Sequence, residues 1–333
     1  MKYLYCLISL LFFTQDVFGQ LLTPYTLYRD QWGVVNPASV SNNFTVDEYT
    51  FSIAATDRHQ WLGNGFNWDY SPNTQVLNFE GVLEDDNIIV GGHIMSDRTG
   101  ALSTLGAYGR FAYMIPLDRL GRQALSIGLS LGLVQTRSRI DGFDSNFFDV
   151  PEEDIVAGAV WNPDVSLGMF YFNEDIWYAG ISIPQILSFS ADFGEDQLVY
   201  SLRQPRHYYA VAGGYIPFDL FGFGDGSSYL ELSGWARYLP LRQSKTDSFA
   251  HLFRLDGNAR YQHNQIAWVG FGLGSALALD YTFLHTELGF IAGENLNLEN
   301  SQLKIGLALD FTIGDPLQRL GPSAEINIMF SWY

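Results

Sequence analysis

Apolar and polar residues alternate along most of the chain from residue 49 to its end. In Leu125–Leu133 every odd position is leucine or isoleucine, and every even position is serine or glycine. The segments Phe249–Tyr261, Leu303–Ile313 and Ala324–Trp332 alternate in a similar way. Successive side chains of a β-strand point to opposite faces. The alternation therefore predicts strands that have one apolar face and one polar face.

A soluble β-sandwich and an outer-membrane β-barrel would both show this alternation. The segments are about 9–13 residues long, which suits a strand tilted across a bilayer better than the roughly 5–6 residues of an average strand. Their number is about 14, and bacterial barrels have an even number. The long connections at 57–73, 137–161 and 185–205 fall at one end, and the short turns at 173–175 and 263–264 fall at the other. The sequence thus predicts an all-β transmembrane outer-membrane barrel of about 14 antiparallel strands, with an N-terminal periplasmic segment.

The composition fits a protein that meets both water and lipid. Among 333 residues there are 18 Lys+Arg and 36 Asp+Glu, so the net charge is 18 − 36 = −18. This acidic balance argues against nucleic-acid binding, which needs a basic surface. Aromatic residues make up 16% of the chain. Several stand at the ends of the predicted strands, where barrels carry interfacial girdles: Trp161, Trp177, Tyr178, Tyr208, Tyr209, Tyr229, Trp332 and Tyr333.

The start of the chain has the pattern of an export signal. Lys2 precedes a short apolar stretch, and the small residues Val17 and Gly19 suit a signal-peptidase site. The single cysteine, Cys6, lies inside this stretch, so the predicted mature chain has no disulfide and no thiol chemistry. We predict a signal peptide at 1–19, an N-terminal periplasmic or plug segment with an Asn-Pro-Ala motif at 20–48, and the barrel at 49–333.

Sequence signals for catalysis or metal binding are weak. The six histidines form no HxxxH or HExxH pair, and no Gly-x-Ser-x-Gly motif occurs. We therefore expect no enzyme activity, no catalytic residue, no metal and no cofactor. The acidic stretch 141–154 leaves calcium binding open, but it lacks EF-hand spacing, which favours a solvated acidic loop.

Charged residues on the polar faces of the predicted strands point into the lumen. One interpretation is that they form ion pairs that brace the wall or hold a plug, with Glu231, Asp310 and Glu325 neutralising the basic residues. The other is that an excess of Arg and Lys makes the lumen basic and suited to an acidic or carboxylate-ending peptide. The candidate residues for this lumenal binding are Arg110, Arg237, Arg254, Asp256, Arg260, Trp268 and Lys304.

Short motifs in a fixed order suggest a family. Asn36-Pro37-Ala38 precedes the first strand, and Arg58-His59-Gln60-Trp61-x-Gly63 closes it. Further along come Ser96-Asp97-Arg98, the strand LSIGLSLGL, Trp177–Gln185 and Arg206–Tyr209. This ordered set, which covers most of the chain, resembles the PorP/SprF family of outer-membrane proteins in type IX secretion and gliding. The motif residues that carry the resemblance are Asn36, Pro37, Ala38, Arg58, Gln60, Trp61 and Gly63.

The resemblance implies a non-enzymatic barrel in the bacterial outer membrane. Such a barrel would bind the C-terminal sorting domain of large secreted adhesins and anchor them or help to export them. The implied partners are that domain, a periplasmic peptidoglycan-binding lipoprotein, motor components of the type IX system and outer-membrane lipid, with no nucleic acid. An alternative is an outer-membrane transporter of hydrophobic small molecules, similar to fatty-acid channels, which would need a continuous apolar path through the lumen.

Overall fold

A computed structural model describes most of the chain. It covers residues 25–63, 71–100, 102–119, 122–138, 158–174, 176–187, 189–193, 200–203, 206–220, 227–242, 249–276, 281–293, 296–313 and 321–333. The predicted signal peptide and the whole acidic stretch 141–154 lie outside these ranges, so both remain predictions. No helix among the described residues is long and apolar enough to cross a membrane.

Fourteen antiparallel strands form a closed barrel in which each strand pairs with the next barrel strand along the chain. Closure comes from pairing of the first strand with the last, with Phe51 opposite Trp332 and His59 opposite Ala324. The sixteen strands of the described chain are β1 Phe51–His59, β2 Asn73–Leu83, β3 Ile88–Thr99, β4 Leu102–Pro116, β5 Gln123–Ser138, β6 Gly158–Asn173, β7 Trp177–Ile183, β8 Ser190–Phe193, β9 Tyr200–Arg203, β10 Tyr208–Pro217, β11 Tyr229–Arg242, β12 Phe249–His263, β13 Ala267–Ala276, β14 Tyr281–Ala292, β15 Ser301–Ile313 and β16 Ser323–Trp332. The predicted number of barrel strands is confirmed.

The short strands β8 and β9 form a separate two-stranded sheet. They lie in the connection 185–205, where the sequence predicted no strand. Each has only four residues, too few for the alternation to stand out against a polar loop.

The two faces of the wall follow the alternation. Leu129, Leu131 and Leu133 are exposed on the outside, whereas Ser126 and Ser130 are buried. Outward apolar and inward polar positions are what a lipid-embedded barrel requires. Three of the expected girdle aromatics instead face the lumen. Tyr178 and Tyr209 are buried there, and Tyr229 packs against Tyr215 at a ring-centroid distance of 5.5 Å. Tyr178 and Tyr209 each follow an outward aromatic residue by one position, and successive residues of a strand face opposite ways.

The two ends of the barrel differ. The end at which β1 finishes and β16 begins carries the long connections, and we call it the outer end. The opposite, inner end carries short turns such as those at 84–87, 173–176 and 263–266. Bacterial barrels place short turns in the periplasm and longer loops outside, so the outer end faces the cell surface.

Residues 25–48, the plug segment, lie inside the barrel. A 3₁₀ turn at Tyr28–Gln31 leads into a short helix at Trp32–Val35, and a second short helix spans Asn42–Thr45. The side chain of Trp32 packs edge-on against Tyr28 and Tyr178, at ring-centroid distances of 5.3 and 5.4 Å. Almost every residue of the segment is buried, so the described part fills the lumen and does not hang below it as a periplasmic segment would.

Candidate functional site: the plugged lumen

The N-terminal end of the plug segment meets a charged cluster near the outer end. The backbone N–H groups of Thr26 and Leu27 donate to the Glu325 carboxylate at 2.8 and 3.1 Å. The Thr26 hydroxyl donates to Asp310 at 2.6 Å. Arg58 forms ion pairs with both carboxylates, at 2.9 Å to Glu325 and also with Asp310. The wall thus supplies acids to the segment and one arginine that binds both of them.

Arg29 anchors the segment from its own side. It forms ion pairs with Glu287 and, at 3.4 Å, with Glu231. Arg260 pairs with Glu287 at 3.0 Å and with Asp30 at 3.5 Å. Burial and the nearby Arg260 act to lower the pKa of Arg29, but Glu287 and Glu231 outweigh them, so its pKa is raised. Arg29 therefore stays charged in the lumen.

Towards the inner end, two further basic residues of the wall hold the segment. Lys304 donates to Asn43 at 2.7 Å and to Asp47. Arg110 donates to the backbone carbonyls of Pro37 and Ser39, at 3.3 and 2.8 Å. Each cation thus binds the plug segment directly.

The Asn-Pro-Ala turn rests on a smooth patch of the wall. The side-chain amide of Asn36 donates to the carbonyls of Met169 and Ile181, at 3.0 and 3.2 Å, and its oxygen accepts from the Ala38 N–H at 3.0 Å. This close approach requires glycines. A Cβ atom at Gly128 would lie 2.6 Å from the Ala38 backbone, and one at Gly168 would overlap Asn36 Oδ1. We call Gly128, Gly168 and Gly180 the glycine seat.

At the outer end of the lumen, beyond the plug segment, two arginines share one acid. Arg237 and Arg254 stand directly opposite each other on β11 and β12. Arg237 binds Asp256 at 2.6 Å, and Arg254 binds it at 2.9 Å. Like charges placed opposite each other in a sheet are destabilising. The buried Nε of Arg237 has no hydrogen-bond partner, so this pair offers donors that Asp256 does not satisfy.

The structure separates the predicted lumenal residues into two groups. All seven are buried or half-buried on the inner face. Arg110, Arg260 and Lys304 contact the plug segment, while Arg237, Arg254 and Asp256 form the cluster beyond it. Trp268 lies under Arg260, whose guanidinium is 5.0 Å from the ring centroid, and the ring occupies space left by Gly289 and Gly306.

The expected excess of basic residues in the lumen is wrong. The described lumen holds seven Arg and Lys and nine Asp and Glu, since wall and plug segment both contribute acids that the sequence analysis left out. The basic residues are Arg29, Arg58, Arg110, Arg237, Arg254, Arg260 and Lys304. The acids are Asp30, Asp47, Glu80, Asp164, Glu231, Asp256, Glu287, Asp310 and Glu325. Only the pair at Arg237 and Arg254 has more cations than adjacent carboxylates.

Sequence reasoning missed several of these residues. Glu80 and Glu287 stand on the polar faces of β2 and β14, so the alternation could have found them. Arg29 and Asp30 precede the first strand, where no periodicity assigns an orientation. Their roles appear only once the segment is placed in the lumen.

The remaining motif residues are structural. Arg58 binds the acids of the outer cluster, and Gln60 N–H donates to the carbonyl of Pro72 at 2.9 Å. Trp61 has a positive φ of 61°. Gly63 lies against Gly321, whose φ of 85° favours glycine and whose hypothetical Cβ would overlap Gly63. These residues shape the outer end of the β1–β16 seam.

A closed 14-strand wall with an apolar exterior and a buried plug segment defines a plugged outer-membrane β-barrel. Solved structures share this fold. The CymD monoaromatic hydrocarbon channel is similar with a TM-score of 0.52 at 10% identity, covering 91% of this chain and 92% of that chain. The TodX deltaS2S3 mutant monoaromatic hydrocarbon channel is similar with a TM-score of 0.50 at 11% identity, over 93% and 94% of the two chains. At such identities the likeness concerns the fold alone.

Residues 17–330 match the family described as type IX secretion system membrane protein PorP/SprF. The chain belongs to this family, which confirms the resemblance that the ordered motifs indicated. Its membership and fold place it in the bacterial outer membrane. Among curated proteins, none matches the chain significantly.

Proposed function

We propose that this secretion-system barrel is a non-enzymatic anchor that binds the C-terminal sorting domain of a large secreted adhesin at the outer end of its lumen. The observation that carries the proposal is the pair Arg237 and Arg254, which stand opposite each other and share Asp256. A carboxylate from outside would add a second negative charge beside the two guanidinium groups and relieve their repulsion. Family membership in type IX secretion supports a secreted protein as its source.

The binding group would be a carboxylate at or near the end of the sorting domain. Arg254 is the more accessible member of the pair, with 14% of its side chain exposed. Its guanidinium lies over the ring of Phe283, 3.7 Å from the centroid, and that of Arg237 lies over Trp235 at 4.2 Å. Stacking holds both guanidinium groups in place, which lowers the entropic cost of binding.

The plug segment would explain why a bound adhesin is retained and does not pass through the barrel. Its ion pairs with the wall close the described lumen below the arginine pair. We propose that the partner therefore stays at the cell surface, while a periplasmic peptidoglycan-binding lipoprotein and motor components contact the inner end. The short turns of that end are the described surface on which they would dock.

The test compares adhesin on cells with adhesin in the medium. The double variant Arg237→Gln/Arg254→Gln should fold, because glutamine keeps a hydrogen-bonding head, but it should release the adhesin. Charge-assisted hydrogen bonds are worth about 1.5–3 kcal/mol each, so we expect most of the adhesin in the medium. Arg98→Gln, on the outer wall, is the matched control. Equal retention by the two variants at equal barrel levels would count decisively against the proposal.

Transport of hydrophobic small molecules is the second candidate function. The likeness to hydrocarbon channels supports it at the level of fold. The ion-paired plug segment disfavours it, since an apolar solute would have to pass buried charges. Uptake of a labelled monoaromatic compound by liposomes that contain the barrel, measured against liposomes without it, separates the two functions.

A further inference from the structure

A small cavity lies between the plug segment and the wall, beside strands β3 to β6. Its volume is about 30 Å³, and about 10–15 Å³ suffices for one water-sized particle. Gly33 and Pro37 of the plug segment form one side of the cavity. Polar side chains of the wall, which include those of His93, Ser130 and Asp164, form the other side. The cavity therefore has room for one or two water-sized occupants between the wall and the plug segment.

Three polar atoms at this cavity have no hydrogen-bond partner among the described residues. They are His93 Nδ1, Ser130 Oγ and Asp164 Oδ1. Each of the three residues is less than 10% exposed. Buried polar groups of proteins are normally paired with protein groups or with bound molecules. Three unpaired atoms around one cavity therefore indicate that the cavity holds an occupant.

The side chain of Tyr108 positions two of these groups. His93, Tyr108, Gly132 and Asp164 stand side by side on β3, β4, β5 and β6. The Tyr108 ring lies across Gly132, where a Cβ atom would overlap it, and its hydroxyl donates to Asp164 Oδ2 at 3.0 Å. His93 stacks on the same ring, with the two centroids 4.4 Å apart. Tyr108 thus occupies one carboxylate oxygen and leaves the other, Oδ1, to the occupant.

Asp164 differs from the other lumenal acids because it has no cation. Each of the other eight described lumenal acids forms an ion pair with an arginine or a lysine. Asp164 forms none with any described residue. Buried charges are normally paired or bound to metal ions. The occupant of the cavity is therefore expected to carry the missing positive charge.

One positive charge suits this cavity better than two. Asp164 is the only acid among the described residues that line it, whereas a calcium ion takes six to eight oxygen ligands that usually include several carboxylates. Ser130 and Ser166 add hydroxyl oxygens, and His93 adds a ring nitrogen, all of them neutral when the imidazole is uncharged. A cation with a single charge would balance Asp164 without leaving an excess.

We propose that this cavity binds one small monovalent cation, which is either a free alkali-metal or ammonium ion or the ammonium group of a lysine from the secreted partner. Asp164 Oδ1 would supply the charge, and Ser130 Oγ and His93 Nδ1 would supply neutral lone pairs. The cation would also hold the plug segment against the wall, because Gly33 and Pro37 close the other side of the cavity. A free ion is independent of the proposed adhesin binding, whereas a lysine as the source rests on it.

The test measures urea unfolding of the purified full chain in sodium, potassium, ammonium or choline chloride at equal concentration. Choline has the same charge but is too large for the cavity. A cation at ten times its dissociation constant raises the ratio of folded to unfolded protein about tenfold. Wild type should gain about this factor over choline in at least one of the three small cations. Asp164→Asn keeps an acceptor for Tyr108 but should abolish the gain, whereas Asp219→Asn, at an exposed position of the inner end, should keep it.

A pair of serine variants tests the neutral ligands. Ser130→Ala removes one hydroxyl from the cavity and should raise the cation concentration that gives half of the gain about fivefold, the effect of one neutral hydrogen bond. Ser126→Ala is the matched control, because Ser126 is a buried, inward serine of the same strand that does not line the cavity. Its cation titration should match that of wild type. Heat-modifiable migration on gels verifies that each barrel has folded.

Two results would overturn the proposal. One is equal stability of wild type in all four salts, which would mean that the cavity holds only water. The other is an undiminished gain in Asp164→Asn. Retention of the adhesin on cells then identifies the source of the cation: release by Asp164→Asn indicates a lysine of the partner, and retention indicates a free ion. The double variant Arg237→Gln/Arg254→Gln should keep the salt dependence of wild type, so failure of the arginine site would leave this result unchanged.

Discussion

The two halves of the plug segment are held in different ways. In its first part, from the outer end into the lumen, Thr26–Asp30 binds through charge, with Arg58, Arg29 and Arg260 among the carboxylates of β11 and β14–β16. In the middle, Asn36–Ala38 binds through shape, because the glycine seat lets its backbone approach the wall. The charged half would be costly to separate, since each group removed leaves its partner buried and unpaired. Arg110 and Lys304 also bind the seated half, but its close approach to the wall depends on the absence of side chains at the glycine seat.

This difference assigns the halves different roles. A buried ion-pair cluster fixes one arrangement strongly, whereas packing against glycines can be lost by adding a few atoms. We expect changes in the charged half to destabilise the whole barrel and changes in the seated half to free the plug segment locally.

The largest effect should come from Arg58→Met. The substitution leaves the Glu325 carboxylate without its cation and removes the ion pair between Arg58 and Asp310. Removing one partner of a buried pair costs about 3–5 kcal/mol. Urea unfolding followed by heat-modifiable migration should show this loss. Arg98→Met, an exposed arginine of the outer wall, should change stability by less than about 0.5 kcal/mol. Equal stabilities would refute the anchoring role of Arg58.

Ile328→Arg measures the cost of damaging the wall itself. Ile328 is exposed to lipid on β16, and a charge at the bilayer midplane costs about 2–4 kcal/mol, falling to about 0–1 near an interface. Membrane yield should drop strongly for this variant and little for Ile313→Arg at the outer end of β15. Matching yields would overturn the assignment of the outer face.

A lumenal substitution in the same strand, Asn327→Arg, is not a suitable control. Asn327→Arg would point into the lumen, but Asn327 is buried and donates to Thr56 at 2.7 Å. Thr56 in turn accepts from Gln31 of the plug segment at 2.5 Å. An arginine there would displace the segment, so that variant tests the plug as well as the wall.

Gly128→Val should break the glycine seat. Its added atoms would collide with the Ala38 backbone, and overpacking of this kind costs about 1–3 kcal/mol. Limited proteolysis should then cut the chain within residues 25–48 while the barrel stays folded. Gly109→Val is the control, because a Cβ at Gly109 meets no atom within 4 Å. Protection of the segment in both variants would show that the seat is unnecessary.

Tyr215→Phe should have the smallest effect. Its hydroxyl donates one neutral hydrogen bond to Asn42 of the plug segment at 2.8 Å, worth about 0.5–1.5 kcal/mol. Urea unfolding of this variant, compared with that of Tyr113→Phe at an outward tyrosine on β4, measures the contribution of this hydrogen bond. A loss as large as that of Arg58→Met would mean that neutral contacts, and not the charged cluster, hold the segment.

The sequence by itself determined the wall. Residues in β5 and β15 alternate between lipid and lumen because strand geometry forces every second side chain to the same face, so the barrel, its strand number and its inward charges could be predicted. The family followed from short motifs in order. From the sequence, the glycine seat was visible only as inward glycines on neighbouring strands, and nothing indicated that Asn36–Ala38 packs against them.

Only the tertiary structure decided which inward groups meet. Arg29 lies roughly 200 residues or more along the chain from Glu231 and Glu287, and no local pattern connects them. Arg237 and Arg254 became a pair because the register of β11 and β12 sets them opposite each other. Alternation fixes the face that a side chain occupies, but contact between faces depends on strand register and on the path of the plug segment. Both are set by the packing of the whole barrel and not by any one stretch of sequence.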